Sequence, residues 1–95
     1  MKITLVKKIL EDGSPCKKCV EVTNRLKDSG YLHRIDETLV ADMRDPDSAG
    51  LQLAIKLNVD RAPFFVVEQD DGTQTVYTVY FKFVKEFLEA EEEER

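Results

Sequence analysis

Lys2-Ile3-Thr4-Leu5-Val6, followed after a polar interval by Gly13-Ser14-Pro15-Cys16-Lys17-Lys18-Cys19, is the stretch whose reading decides the fold. The first five residues are apolar and partly β-branched, with Ile3 and Leu5 on one face and Thr4 and Val6 on the other, as in a strand covered on both sides. Glu11 to Pro15 is polar around Gly13 and reads as a loop. Ser14 is an acceptable helix cap and Pro15 is tolerated in a first turn. A helix is predicted from about Pro15 to Ser29, with Cys19, Val22 and Leu26 along one stripe and Gly30 as its stop.

Working outward, the interval from Leu32 to Asp42 holds a second strand, with Thr38 to Ala41 its securest part because Asp36-Glu37 interrupts the pattern. Asp45-Pro46 repeats the capped-helix signal. Leu51, Ala54 and Ile55 then form an apolar stripe, and Asn58 can end that helix in a left-handed conformation. Phe64 to Val67 and Thr75 to Thr78 flank Asp71-Gly72, a strong tight-turn dipeptide, so a β-hairpin is expected. Phe81, Val84, Phe87 and Leu88 give the face of a last amphipathic helix, and the run Glu91 to Glu94 reads as a solvated acidic tail over about 90–95. The resulting order, β-α-β-α-β-β-α, predicts an α/β fold with a central four-stranded mixed sheet flanked by helices.

The chain has 95 residues, 42% hydrophobic and 35% charged. That is enough for one core and one domain over 1–95, burying about 60–65% of the unfolded surface. A monomer is expected. The net charge of −5 opposes binding to phosphate backbones, so nucleic acid is not an expected partner. No stretch reads as a membrane span or a secretory leader, which predicts a cytoplasmic protein with no membrane partner. Two cysteines in such a setting are too few for a structural crosslink framework, and their spacing becomes the main clue.

Cys16 and Cys19, three apart at a helix start, lie on one face with Cα atoms near ~5–5.5 Å, a separation that a disulfide tolerates. The helix terminus carries partial positive charge and free backbone N–H groups, which favour thiolate, the form that attacks a disulfide. Cys16, nearer the terminus, is the expected nucleophile and Cys19 the resolving thiol. Lys17 and Lys18 are mildly unfavourable in a first turn yet favour a neighbouring thiolate. Glu11 and Asp12 act in the opposite direction by like-charge repulsion. His33 reads as a surface or strand-end histidine, Asp42 as a solvated loop carboxylate, and Tyr77, Tyr80 and Phe81 as core or edge aromatics.

With Cys16-Lys17-Lys18-Cys19 after the first strand and Arg61-Ala62-Pro63-Phe64-Phe65 opening the strand before the hairpin, the sequence resembles the thioredoxin-like superfamily along essentially its whole length. Its compact size is closer to glutaredoxins. The resemblance implies a thioredoxin-like fold and a thiol-disulfide oxidoreductase with Cys16 and Cys19 catalytic. It further implies a cis Pro63 beside the cysteines, and the Ala62 backbone, with Lys17 and Lys18, on the substrate side. The expected partners are a disulfide-bearing protein or small thiol, and a reductase or glutathione as electron donor, with no resident cofactor. The chain departs from both signatures. It has no tryptophan before Cys16 and neither Gly-Pro nor Pro-Tyr between the cysteines, and Val79-Tyr80-Phe81-Lys82 stands where glutaredoxins carry the Gly-Gly and acidic residues that cradle glutathione. Two other readings compete: a metal-handling module for copper, zinc or an iron-sulfur cluster, with one pair of thiolates per chain, and a non-catalytic interaction domain that keeps its cysteines for local structure.

Overall fold

Four strands build one mixed sheet in the computed structural model, which describes residues 1–89. β1 (Lys2–Ile9) and β2 (Glu37–Asp42) run parallel, whereas β3 (Phe64–Glu68) runs antiparallel to β1 and to β4 (Gln74–Tyr77), giving the order β2-β1-β3-β4. The helices are α1 (Lys17–Asp28), α2 (Ala49–Leu57) and α3 (Tyr80–Phe83), the last continuing as a π-helical segment, Val84–Glu89. The predicted element order and the α/β class with a four-stranded mixed sheet are both observed. No helix among the described residues is long and apolar enough to cross a membrane.

The alternation read in the first strand divides the core. Ile3 and Leu5 pack with Phe65 and Val67 of β3, with Val22 and Leu26 of α1, and with Phe83, Val84 and Leu88. Val6 packs on the opposite face with Ala41, Phe64, Val66 and Ala54 of α2. Phe65 and Phe83 stack with centroids 4.1 Å apart, joining the sheet to the C-terminal helix. Burying side chains of this size contributes roughly 1.5–3 kcal/mol each and supplies most of the drive to this arrangement.

β1 runs three residues beyond the predicted Val6, because Lys7, Lys8 and Ile9 continue the parallel register opposite Val40, Ala41 and Asp42. Asp36, which broke the β2 pattern, extends the pairing instead: its N–H donates to the Ile3 carbonyl at 2.9 Å, and its carboxylate accepts the Ile3 N–H at 2.7 Å. The stop signals act as read. Gly30 has φ of 78° and closes α1, with the Tyr31 N–H returning to the Leu26 carbonyl, and Asn58 ends α2 at φ of 57°.

Both helix starts fall later than the sequence suggested. Pro15 bridges Ile9 in an isolated antiparallel contact, so α1 begins at Lys17 with Cys16 as its cap. Asp45-Pro46 lies in a turn and α2 begins at Ala49 after Ser48. The last helix also corrects the prediction. Phe83, Val84 and Leu88 face the core, while Phe81, in the α-helical turn before the π-helical segment, is 65% exposed. The side chain of Phe87 and the glutamate run lie outside the described residues.

Candidate functional site

The C-terminal end of β1 organises the cysteine pair through backbone alone. The Lys8 carbonyl accepts the Cys16 N–H at 3.1 Å, and the Lys8 N–H donates to the Cys19 sulfur at 3.4 Å. One strand residue therefore holds both cysteines. The loop between them is kept short by two bonds, Leu10 N–H to the Ser14 carbonyl and Gly13 N–H to the Leu10 carbonyl, each 2.9 Å. Ser14, expected as the helix cap, donates both its N–H and its hydroxyl to Asp12 instead. That leaves the cap position to Cys16, whose sulfur accepts the Cys19 N–H at 3.4 Å.

The two sulfurs have different surroundings. Cys16 is half-buried, whereas Cys19 is 3% exposed, and both are free thiols. Partial burial opposes ionisation of Cys16, but the hydrogen bond from the Cys19 thiol, the amides of Cys19 and Lys18 and the Lys8 charge together hold its pKa below the ordinary thiol value. Burial, and then the hydrogen bond it gives to Cys16, push Cys19 up to about 11. The pair is suited to an outer sulfur that ionises first and an inner thiol that donates to it.

Of the expected substrate residues, the structure brings Ala62 and Pro63 to this end of the sheet. The Ala62–Pro63 bond is cis and Pro63 is buried. Phe64 stands opposite Val6, which sets the cis bond beside the Lys7-Lys8 end of β1. Ala62 and Lys8 line one cavity of about 230 Å³ with Met43 and Phe64. No described residue hydrogen-bonds the Ala62 backbone, which leaves its N–H and carbonyl available to an extended ligand. Lys18 lines a separate groove of about 240 Å³ with Arg25, Arg61, Val79 and the exposed Phe81, over whose ring Arg25 sits at 5.5 Å. Lys17 is exposed and borders none of these cavities.

The remaining candidates are accounted for locally. His33 is exposed in a 3-10 turn that leads to Asp36 and the N-terminal end of β1, at the far end of the sheet from the cysteines. Asp42 is held below the usual carboxylate range by Arg44, which grips both its oxygens at 3.0 Å. The Asp12 carboxyl is likewise lowered by its bonds from Ser14. No group of three or more His, Cys, Asp or Glu among the described residues could hold a metal ion. Lys8 is the residue that sequence reasoning missed. Ile9 continues the alternation of Ile3 and Leu5 past Lys7-Lys8, a signal that could have carried the strand onward and put Lys8 at its business end.

A third cavity, of about 300 Å³, lies between α1 and the β1–β2 edge, with Cys19, Val20 and Val40 in its wall. No family model, curated protein or solved structure matches the chain.

Proposed function

We propose that this chain is a thioredoxin-like thiol-disulfide oxidoreductase of the compact, glutaredoxin-like kind, acting in the cytoplasm on disulfides of proteins or small thiols. The observation that carries the reading is the asymmetry of the pair: Cys16 caps a helix with its sulfur, while Cys19 is buried behind it and bonded to the same strand residue. A pair kept only for packing would not need a half-buried sulfur as helix cap.

The chemistry balances without a cofactor. The Cys16 thiolate attacks one sulfur of the substrate disulfide, forming a mixed disulfide as the other substrate sulfur leaves as thiolate. Cys19 gives up its proton, which that leaving thiolate can accept, and attacks the Cys16 sulfur. The Cys16–Cys19 disulfide forms, the second substrate sulfur leaves as thiolate and takes its proton from water, and two electrons have moved from the dithiol to the substrate. A dithiol reductant, or two glutathione molecules, returns them. The free Ala62 backbone suits strand-like capture of an extended substrate beside Cys16.

Mild oxidation followed by intact mass measurement tests this. A loss of two hydrogens, reversed by dithiothreitol, is expected, together with reduction of a model protein disulfide that Cys16→Ser abolishes. Two thiols that stay free under oxidation would overturn the proposal.

A further inference from the structure

The cavity between α1 and the β1–β2 edge stands apart from the exchange site, since neither Cys16 nor the Ala62–Pro63 bond borders it. Its volume is about 300 Å³. A dry cavity of roughly 150 Å³ already admits benzene, and ligand sites begin near ~300 Å³. Pro15, Cys19, Val20 and Val40 make its wall apolar. α1 packs on β1 and β3 through Val22 and Leu26, and Val20 and Val40 beside the edge strand stay 45% and 38% exposed.

Lys7 sets this cavity apart from an ordinary apolar hollow. Strand alternation puts its side chain on the face of Ile3 and Leu5, and the parallel register places it beside Val40. An apolar residue there would continue the stripe to Ile9. Lys7 is half-buried, and among the described residues its ammonium has no hydrogen-bond or ion-pair partner. No described Asp or Glu borders the cavity, although the chain has a net charge of −5. Asn24 also borders it and is exposed, with no described partner for its side-chain amide. Partial burial of a cation without a counter-ion is costly, and such local conflicts concentrate at functional positions.

We propose that this cavity binds a small amphipathic carboxylate of roughly ten non-hydrogen atoms, its apolar body against Val20, Val40 and Cys19 and its oxygens accepting from the Lys7 ammonium and the Asn24 amide. A neutral apolar ligand would leave the lysine unpaired, and an inorganic anion would leave Val20 and Val40 in water. The amphipathic acid answers both. The site does not depend on disulfide exchange, because Cys19 enters it as wall and Cys16 not at all.

Proton–nitrogen correlation spectra of the reduced, nitrogen-15-labelled full chain, titrated with 3-phenylpropanoate, test this. Saturable shifts centred on the amides of Lys7, Val20, Asn24 and Val40 are expected, with a Kd of about 0.1–1 mM for a ligand of this size. 3-Phenylpropanamide keeps the shape and loses the charge, and should bind about fivefold more weakly or worse. Lys7→Met should weaken 3-phenylpropanoate by a similar factor while leaving the amide nearly unaffected, and Val40→Trp, which fills the cavity, should abolish both. Equal binding of acid and amide by the wild type overturns the proposal, whether or not Lys7→Met folds. So does a carboxylate affinity that Lys7→Met leaves unmoved, or shifts that are absent at millimolar ligand or centred elsewhere. Shifts at Val20 and Val40 that follow protein concentration without ligand would give the face to a second copy of the chain, and overturn it as well. The spectrum of each variant checks its fold.

Discussion

The starts of α1 and α2 share a plan and diverge in execution. Each follows a Ser-Pro or Asp-Pro signal, each begins after that proline, and each approaches the sheet from the end of a parallel strand. At α2 the cap residue is Ser48, yet its hydroxyl makes no cap bond. It accepts the Asp42 N–H at 3.0 Å and donates to the Asp45 carbonyl at 2.9 Å, so the helix start is tied into β2. At α1 the cap is a sulfur, a weak acceptor at 3.4 Å, although a serine stands two residues earlier. The first start is spent on structure. The second leaves its amides to a group that gains most from them when ionised, which is how a helix terminus becomes chemical.

Gly50 should break the comparison most severely. A Cβ there would lie 2.3 Å from the Val40 carbonyl carbon and 2.4 Å from the Ala41 nitrogen, so α2 rests directly on the β2 backbone. Gly50→Ala forces the helix away from the strand and is expected to cost about 3 kcal/mol or more, well beyond the roughly 1 kcal/mol that alanine gains as a better helix former. Chemical denaturation measures this. A loss under 1 kcal/mol would mean that α2 is not seated as described.

The second effect belongs to α1 and depends on pH. Cys19 has a folded pKa raised to about 11 from an ordinary 9.0. Burial favours its neutral thiol, so its contribution to stability is complete below about pH 9 and is lost as pH rises toward 11. The loss is of order 2 kcal/mol. Alkaline pH acts on the rest of the chain as well, so the quantity to measure is the difference between reduced wild type and Cys19→Ser. That difference should close progressively above pH 9. A constant difference from pH 7 to 11 would remove the buried, protonated thiol from the account.

How legible this was differs between the two starts for physical reasons. Period-two alternation at Ile3 to Val6, the Asn58 stop and the Asp71-Gly72 turn are local signals, and each is observed where it was read. The cap positions depend on contacts across the chain. Ser14 is drawn to Asp12, and Pro15 to Ile9, because β1 runs on through Lys7 and Lys8; two lysines after an apolar run read locally as its end. Phe81 failed as a core residue because Phe83 takes the stacking place on Phe65, and residues two apart do not share a helix face. Cys16 and Cys19 were legible as a pair. The role of Lys8 was not, since it acts through its backbone and through a register that no local pattern fixes.

Ser48→Ala is the smaller structural counterpart of Gly50→Ala. It removes the acceptor of the partly buried Asp42 N–H and the donor to Asp45. The expected cost is about 1–1.5 kcal/mol, or roughly 4–10 °C in Tm for a domain of this size. A thermal scan reads it, and no change would show that solvent replaces both bonds freely.

The smallest effect has the opposite sign and separates the two starts most sharply. Serine is a far better helix cap than a thiol, so Cys16→Ser should stabilise the reduced chain by about 0.5–1 kcal/mol while abolishing exchange. Little packing is lost, because Cys16 is only half-buried. The gain should itself depend on pH. The folded pKa of Cys16 lies below the ordinary thiol value; its thiolate therefore contributes stability above the unfolded pKa, a contribution lost as pH falls through the folded one. Serine has no such ionisation. The advantage of Cys16→Ser should thus be larger at pH 6 than at pH 9, because the thiolate, increasingly favoured as pH rises, accepts the same amides more strongly than the neutral sulfur does. Paired denaturation curves at the two pH values, both under reductant, decide it. A variant less stable than wild type at pH 6 would show that the sulfur is held for packing; a gain independent of pH would show that the helix terminus does not favour the thiolate.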